Sequence, residues 1–215
     1  MLQEYTKIET VYARDLDGSK KLKEGVFRNK AVEYLKNNNW IFTEKVDGTN
    51  VRVYWDGHKV SFHGRTDKAN LPPFLVEKLT EIFSTNEMEQ VLEQMFGEKE
   101  VILFGEGYGN KIQKCGAGYI PDGVDFILFD VKVGGIYLSF SNVAQIGKAL
   151  GIKVVPFVCI CTIDEAVAFV KSHPVSLIAS AKNLLMEGLV GQPEVPLRDG
   201  NHDRIMVKIK VRDFE

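Results

Sequence analysis

A chain of 215 residues with 45% apolar and 26% charged side chains can bury a substantial core and has an ordinary globular composition. Its net charge of −2 excludes a global attraction to polyanions, so any nucleic-acid contact has to come from a local basic patch. No segment reaches the roughly 18 apolar residues of a membrane span. The opening MLQEYTKIET has no apolar leader core, and three cysteines in no framework spacing fit a reducing cytoplasm.

In chain order, the first clear element is WIFTEKV, with apolar residues at Trp40, Phe42 and Val46. TNVRVYW then alternates Val51, Val53 and Trp55 against Arg52 and Tyr54, the period of a strand. Asp56-Gly57 is a hairpin signal, and HKVSFH resumes the alternation beyond it. The stretch 74–96 has helical apolar spacing with a break near Ser84–Asn86. EVILFGEGYG reads as a buried strand ending in a glycine-rich turn, and VDFILFDVKV with GIYLSF reads as a strand pair around Gly134-Gly135. NVAQIGKALG predicts a helix closed by Gly151. VVPFVCICTI predicts a buried strand, which makes Cys159 and Cys161 packing residues in preference to a metal or redox site.

TIDEAVAFVKSH opens with Thr162 and Glu165 in capping-box spacing, a helix start. PVSLIASAKNLL suggests one more helix, MEGLVGQP a strand, and DRIMVKIKVRDFE a basic strand. Helices and strands alternate without regular βαβ order, which predicts an α+β fold with largely antiparallel sheets flanked by helices. With no repeat and no long linker the chain is expected to form a single domain, with its quietest boundaries in the loops near 65–73 and 110–123.

The chemistry centres on KVDGTN at 45–50. A free lysine has a pKa near 10.4, so only about one molecule in a thousand is uncharged and nucleophilic at neutral pH. A reactive Lys45 therefore needs burial or neighbouring cations, and Lys208 and Lys210, two apart on a strand, point to one face. That pair is either a solvated edge or a phosphate clamp. Around Lys45, Gly48 lets backbone come close to a ligand, and Asn50 offers an amide to a phosphate or a metal-bound water; by themselves these residues are equally a capped β-turn. Glu106 between glycines at a strand end, and Glu187 before Gly188, are carboxylates placed for a ribose hydroxyl or a divalent cation, or else turn residues in solvent. Arg65, just past the hairpin, could pair with phosphate or ribose. A phosphate-binding G-x-x-x-x-G-K-[ST] loop is nowhere in the chain.

Taken in order, K-V-D-G-T-N at 45–50, G-R-T at 64–66, F-G-E-G at 104–107, D-F-I-L-F-D at 125–130, E-G-L-V at 187–190 and K-I-K at 208–210 resemble the six collinear motifs of the covalent nucleotidyltransferases. Those are the ATP-dependent DNA and RNA ligases and the mRNA capping enzymes. Asn50 is similar to the RNA ligase 2-like branch, where DNA ligases and capping enzymes usually carry arginine. The resemblance implies a nucleotidyltransferase (ATP-grasp-like) fold with a nucleotide pocket between its sheets. The implied activity is an ATP-dependent RNA ligase that joins 3′-hydroxyl and 5′-phosphate ends with ATP and Mg²⁺ or Mn²⁺.

The same resemblance implies individual roles. Lys45 forms a lysyl-AMP, Arg65 and Glu106 hold the ribose, and backbone beside Glu44 and Val46 reads the adenine edge. Asn50 belongs to the nucleotide site, and Glu187 holds the metal. Phe126 stacks on adenine, the alternative being a core side chain. Lys208 and Lys210 offset charge building on the α-phosphate. Partners would be RNA ends, with an end-healing enzyme possible and no membrane.

The departures are also informative. Five residues follow Lys210, with neither an OB-fold nor a helical C-terminal domain expected after it, and Gln192-Pro193 stand where many relatives have a lysine. Lys111, Lys114, Arg198 and Arg204 are basic residues the motifs leave unassigned. Alternative readings are an ATP-dependent DNA or nick ligase, and a non-catalytic module that binds nucleotide or RNA ends.

Overall fold

The computed structural model describes residues 2–15 and 21–215. Strands β1 (Glu9–Thr10), β2 (Tyr12–Arg14) and β3 (Leu22–Phe27) lead to helix α1 (Lys30–Tyr34), then β4 (Trp40–Lys45), β5 (Thr49–Trp55) and β6 (Val60–His63). Helices α2 (Pro73–Phe83) and α3 (Asn86–Phe96) precede β7 (Val101–Gly109), the short α4 (Gly116–Tyr119), β8 (Val124–Val133) and β9 (Ile136–Tyr137). Then come α5 (Phe140–Ala149), β10 (Lys153–Val154), β11 (Phe157–Cys161), α6 (Ile163–Lys171), β12 (Gly188–Pro193) and β13 (Val207–Lys210), closed by a 3₁₀ turn at Val211–Asp213. The fold is α+β, and most of its strand pairs are antiparallel.

The chain forms two compact units. One comprises Asp47–Val155 with the N-terminal residues through Tyr5; the other comprises Thr6–Val46 and Pro156–Glu215. The crossings fall at 46/47 and 155/156, whereas the loops near 65–73 and 110–123 lie inside the first unit. Neither loop is a boundary, because strands on either side of each pair in one sheet.

In the first unit the sheet runs β10-β8-β7-β5-β6, with β9 on β8. The β5 residues Val51, Val53 and Trp55, with Leu103 and Leu128, pack against Leu75, Leu79 and Phe83 of α2, Leu92 of α3 and Val143 of α5. The period-2 pattern of β5 thus faces helices on one side. FGEGYG is a continuation of β7, with Gly107 paired to Phe126 and Gly109 to Val124. Those glycines are demanded by packing: a Cβ on Gly105 would come within 2.2 Å of the Phe126 ring, and one on Gly107 within 2.5 Å of Leu75.

In the second unit the sheet runs β1-β13-β12-β4-β11. Trp40, Phe42, Leu189 and Ile209 point to one face and pack with Val32 of α1 and Ile163, Ala166, Val167 and Val170 of α6. The capping box forms as expected: Glu165 N–H donates to Thr162 Oγ1 at 3.4 Å, and Thr162 N–H donates to Glu165 Oε2 at 2.8 Å. The opposite face carries Ile41, Thr43 and Lys45 of β4, Gly188, Val190 and Gln192 of β12, and Lys208 and Lys210 of β13.

Three expectations are corrected. PVSLIASAKNLL is not a helix; Val175 and Leu185 form an isolated bridge, and Ser176 and Leu177 bind a carboxylate instead of a helical carbonyl ladder. Cys159 and Cys161 do pack against the core from a strand, as expected, but β11 is the edge of the sheet and they are half-buried, not buried, with their sulfurs 3.0 Å apart. The basic C-terminal strand is only Val207–Lys210.

Candidate active site

The second unit brings Lys45, Glu187 and Lys210 together through strand register. Gly188 pairs with Lys45 on one side and with Lys210 on the other, so the residue before it sits between two lysines. Glu187 Oε2 accepts from Lys45 Nζ at 2.6 Å, and its Oε1 accepts from Lys210 Nζ at 2.6 Å. Burial opposes ionisation of Glu187, but the two ammonium groups outweigh it and hold its pKa below the usual carboxylate range. Gly188 is what permits this approach. Its φ is +151°, and a Cβ there would lie 2.0 Å from the Ile209 carbonyl oxygen. Lys208 lies two residues from Lys210 on the same face, beside Val190.

Glu44 neighbours Lys45 but points the other way, into the core side, and is 1% exposed. It accepts from the Ser176 hydroxyl at 2.5 Å and from Leu177 N–H at 2.9 Å. Burial raises its pKa, against the pull of those two donors. Val46 is buried as well. Sequence reasoning missed Ser176 because it lies 132 residues from Glu44 in a segment read as helix.

The first unit holds the remainder of the expected residues. Asn50 pairs with Glu106 across β5 and β7, so both side chains project from one face. Asn50 Oδ1 is buried and has no hydrogen-bond partner among the described residues, an acceptor whose unmade bond costs about 1–3 kcal/mol. The turn before it presses on β7: a Cβ on Gly48 would stand 2.3 Å from the Gly107 carbonyl oxygen and 2.7 Å from Glu106 Cγ. This turn is fastened from the loop after β7. Gln113 Nε2 donates to the Gly48 carbonyl at 2.9 Å, Asp47 N–H donates to Tyr119 Oη at 3.3 Å, and Cys115 Sγ lies 3.1 Å from Asp47 Oδ2. Gln113 (φ 58°) and Lys111 (φ 64°) adopt the left-handed region uncommon for non-glycine residues, so the clamp is held against local strain.

Arg65 is exposed, on a bend whose position is set by Arg52. Arg52 is 0% exposed and donates to the Gly64 carbonyl at 2.7 Å, to Leu2 and Gln3 carbonyls at 2.9 and 3.1 Å, and to Asp67 at 2.9 Å. Strand alternation alone places Arg52 on a polar face; only the fold reveals that this face is covered. Phe126 needs a correction. It is 1% exposed, packs edge-on against Phe83 at 5.3 Å, and covers Gly105. It pairs with Gly107, which sets it on the helix-covered face opposite to Glu106. The core reading therefore replaces the adenine-stacking one.

The model of one family, RNA ligase, matches residues 38–210. The chain belongs to the RNA ligase family. Among solved structures this ligase-family chain is similar to the Naegleria gruberi RNA ligase at 20% identity. A mutant with ATP and Mn gives a TM-score of 0.66 over 97% of this chain and 56% of that one. An apo mutant gives 0.64 over 98% and 62%, and the enzyme with PPi gives 0.63 over 96% and 61%. The chain thus spans about three-fifths of the length of those relatives. A comparison with curated protein sequences gives no match.

Among the described residues, no group of three or more His, Cys, Asp or Glu side chains is gathered to hold a metal ion, and no helix is long and apolar enough to cross a membrane. The donor chemistry present is that of Glu187, one carboxylate beside two lysines. It fits a hard cation of the kind that binds through one or two carboxylates plus substrate phosphates, and does not fit an all-protein cage.

Proposed function

We propose that this chain catalyses ATP-dependent joining of RNA 3′-hydroxyl and 5′-phosphate ends through a covalent lysyl-AMP. The observation that carries the reading is the Lys45–Glu187–Lys210 cluster, built by register in a chain of the RNA ligase family. An amine, a carboxylate and a second cation within hydrogen-bond reach are what nucleophilic attack on a phosphate requires. Lys45 Nζ first gives up its ammonium proton to solvent; the neutral amine then attacks the α-phosphorus of ATP, the N–P bond forms, and the P–O bond to pyrophosphate breaks. Lys208 and Lys210 offset the negative charge that builds on the α-phosphate oxygens in that step. AMP then passes to the RNA 5′-phosphate, and the 3′-hydroxyl displaces it.

Glu187 has two parts in this scheme. It aligns Lys45 and Lys210, and with the substrate phosphates it would hold Mg²⁺ or Mn²⁺. Such a cation, when bound, withdraws charge from phosphate oxygens. Arg65 and Glu106 hold the ribose, and Asn50 Oδ1 is an acceptor suited to a hydroxyl or a bound water. Backbone beside Glu44 and Val46 meets the base, while the Glu44 side chain fixes the 176–177 segment behind it.

The test is incubation with Mg²⁺ and α-labelled ATP, followed by acid precipitation and peptide mapping. Label is expected on Lys45 and absent in Lys45→Ala. Wild-type protein that seals nicked RNA without ever carrying label would refute the scheme, and label from GTP in place of ATP would point to capping chemistry. Sealing of nicked duplexes with DNA or RNA on each side of the break then sorts substrates. Ribonucleotides at the 3′-hydroxyl side are expected to be required.

A further inference from the structure

On the face of the second unit's sheet opposite its core, three successive same-side positions of β12 each stand beside a cation. Gly188 is flanked by Lys45 and Lys210, and Val190 pairs with Lys208. Gln192 receives a hydrogen bond from Arg204: its Oε1 lies 3.0 Å from the Arg204 guanidinium. The segment Leu197–Ile205 that delivers Arg204 folds back on itself through the Arg198–Arg204 bridge and an Ile205 N–H bond to the Leu197 carbonyl. Gln192 and Arg204 are both half-buried, so the guanidinium is held at a defined place on the face.

Same-side positions on a strand recur every two residues, roughly 6.6 Å. The three rungs therefore span roughly 13 Å along β12. Successive phosphates of a triphosphate share one bridging oxygen and lie closer together than these rungs. Successive phosphates of a nucleic-acid strand are separated by a whole sugar unit, and that repeat suits the spacing. A row of cations along one sheet face, in a protein with no net positive charge and with Glu187 paired to the first two, is also the kind of local footprint that polyanion binding requires.

We infer that Arg204, set by Gln192, is a backbone-phosphate contact for the nucleic-acid strand whose end reaches Lys45, two nucleotide steps in from the joined end. The assignment deepens the ligase reading and takes from it the identity of the strand as RNA. Phosphate contacts of this type position a strand without reading its sequence.

The experiment measures equilibrium binding of a 5′-phosphorylated RNA strand to wild type, Arg204→Ala and Arg204→Lys over a series of salt concentrations. Arg204→Ala is expected to weaken binding about tenfold irrespective of sequence and to flatten the dependence of log K on log salt by about one. Arg204→Lys should keep the slope, because the charge remains. Unchanged affinity and slope in Arg204→Ala would overturn the assignment. Self-adenylylation of the same variants with ATP alone is run in parallel. Loss of label in Arg204→Ala in step with lost RNA binding would also overturn it, since the residue would then serve the nucleotide or the fold. Absence of label in wild type would sink the ligase reading, whereas the salt-slope change would still decide the strand contact.

Discussion

Replacement of Arg52 by methionine keeps an unbranched side chain of similar length in β5 and removes a guanidinium that meets three carbonyls and one carboxylate. A hydrogen bond from a charged donor is worth about 1.5–3 kcal/mol. Gly64 is itself buried, and its carbonyl forfeits that full amount. The Leu2 and Gln3 carbonyls, close to the chain end, can turn to water and forfeit less. Asp67 is over a third exposed, so its ion pair adds under about 1 kcal/mol. Better burial of an apolar side chain offsets part of the loss, which leaves a destabilisation of about 3 kcal/mol. Urea unfolding of wild type and Arg52→Met measures it directly. A loosened 64–67 turn should also raise the concentration of ATP needed for half-maximal self-adenylylation, because Arg65 loses its platform. A stability change under 1 kcal/mol would refute the reasoning, for then the four contacts are not holding the turn.

Two other expectations address the lysine cluster. Gly188→Ala places a methyl 2.0 Å from the Ile209 carbonyl oxygen at a φ of +151°; the strain of an L-residue there is about 1–3 kcal/mol before any clash. The strand must shift, so self-adenylylation should fall by at least tenfold while Gly200→Ala, where φ is ordinary and a Cβ meets nothing within 4 Å, should keep it. The second concerns pH. Glu187 has its folded pKa below the unfolded value, so its share of stability is present above the unfolded pKa near 4.5 and is lost as pH falls through the folded one. Thermal melts of wild type and Glu187→Gln should differ most above the unfolded pKa near 4.5 and draw together as pH falls through the lower folded one; a gap that does not shrink at all as pH is lowered below 4.5 would contradict the ion-pair account.

Much of this arrangement was legible in the order of residues. The alternation of Val51, Val53 and Trp55, the capping box at Thr162 and the break at Ser84 are local, and local signals survive into the fold. The lysine pair was readable as a shared face, though nothing local said that Glu187 would bridge Lys45 to Lys210. What escaped was set by partners distant in the chain. Ser176 and Leu177 looked helical because their bond to Glu44 spans more than a hundred residues. Gln113, Cys115 and Tyr119 carry no motif, yet they fasten the turn at 47–48. Phe126 was ambiguous since a strand residue can face either way, and only its pairing with Gly107 decides which.

Strand alignment in the second unit has one more effect. The register that buries Phe42, Leu189 and Ile209 is the register that gathers the lysines around Glu187. A one-step slip of β12 would turn its apolar side chains outward and scatter the charges in the same stroke. Mispaired molecules would thus be less stable and would lack the Lys45–Glu187–Lys210 cluster. A preparation in which this sheet has folded should carry the assembled lysine cluster in essentially every copy.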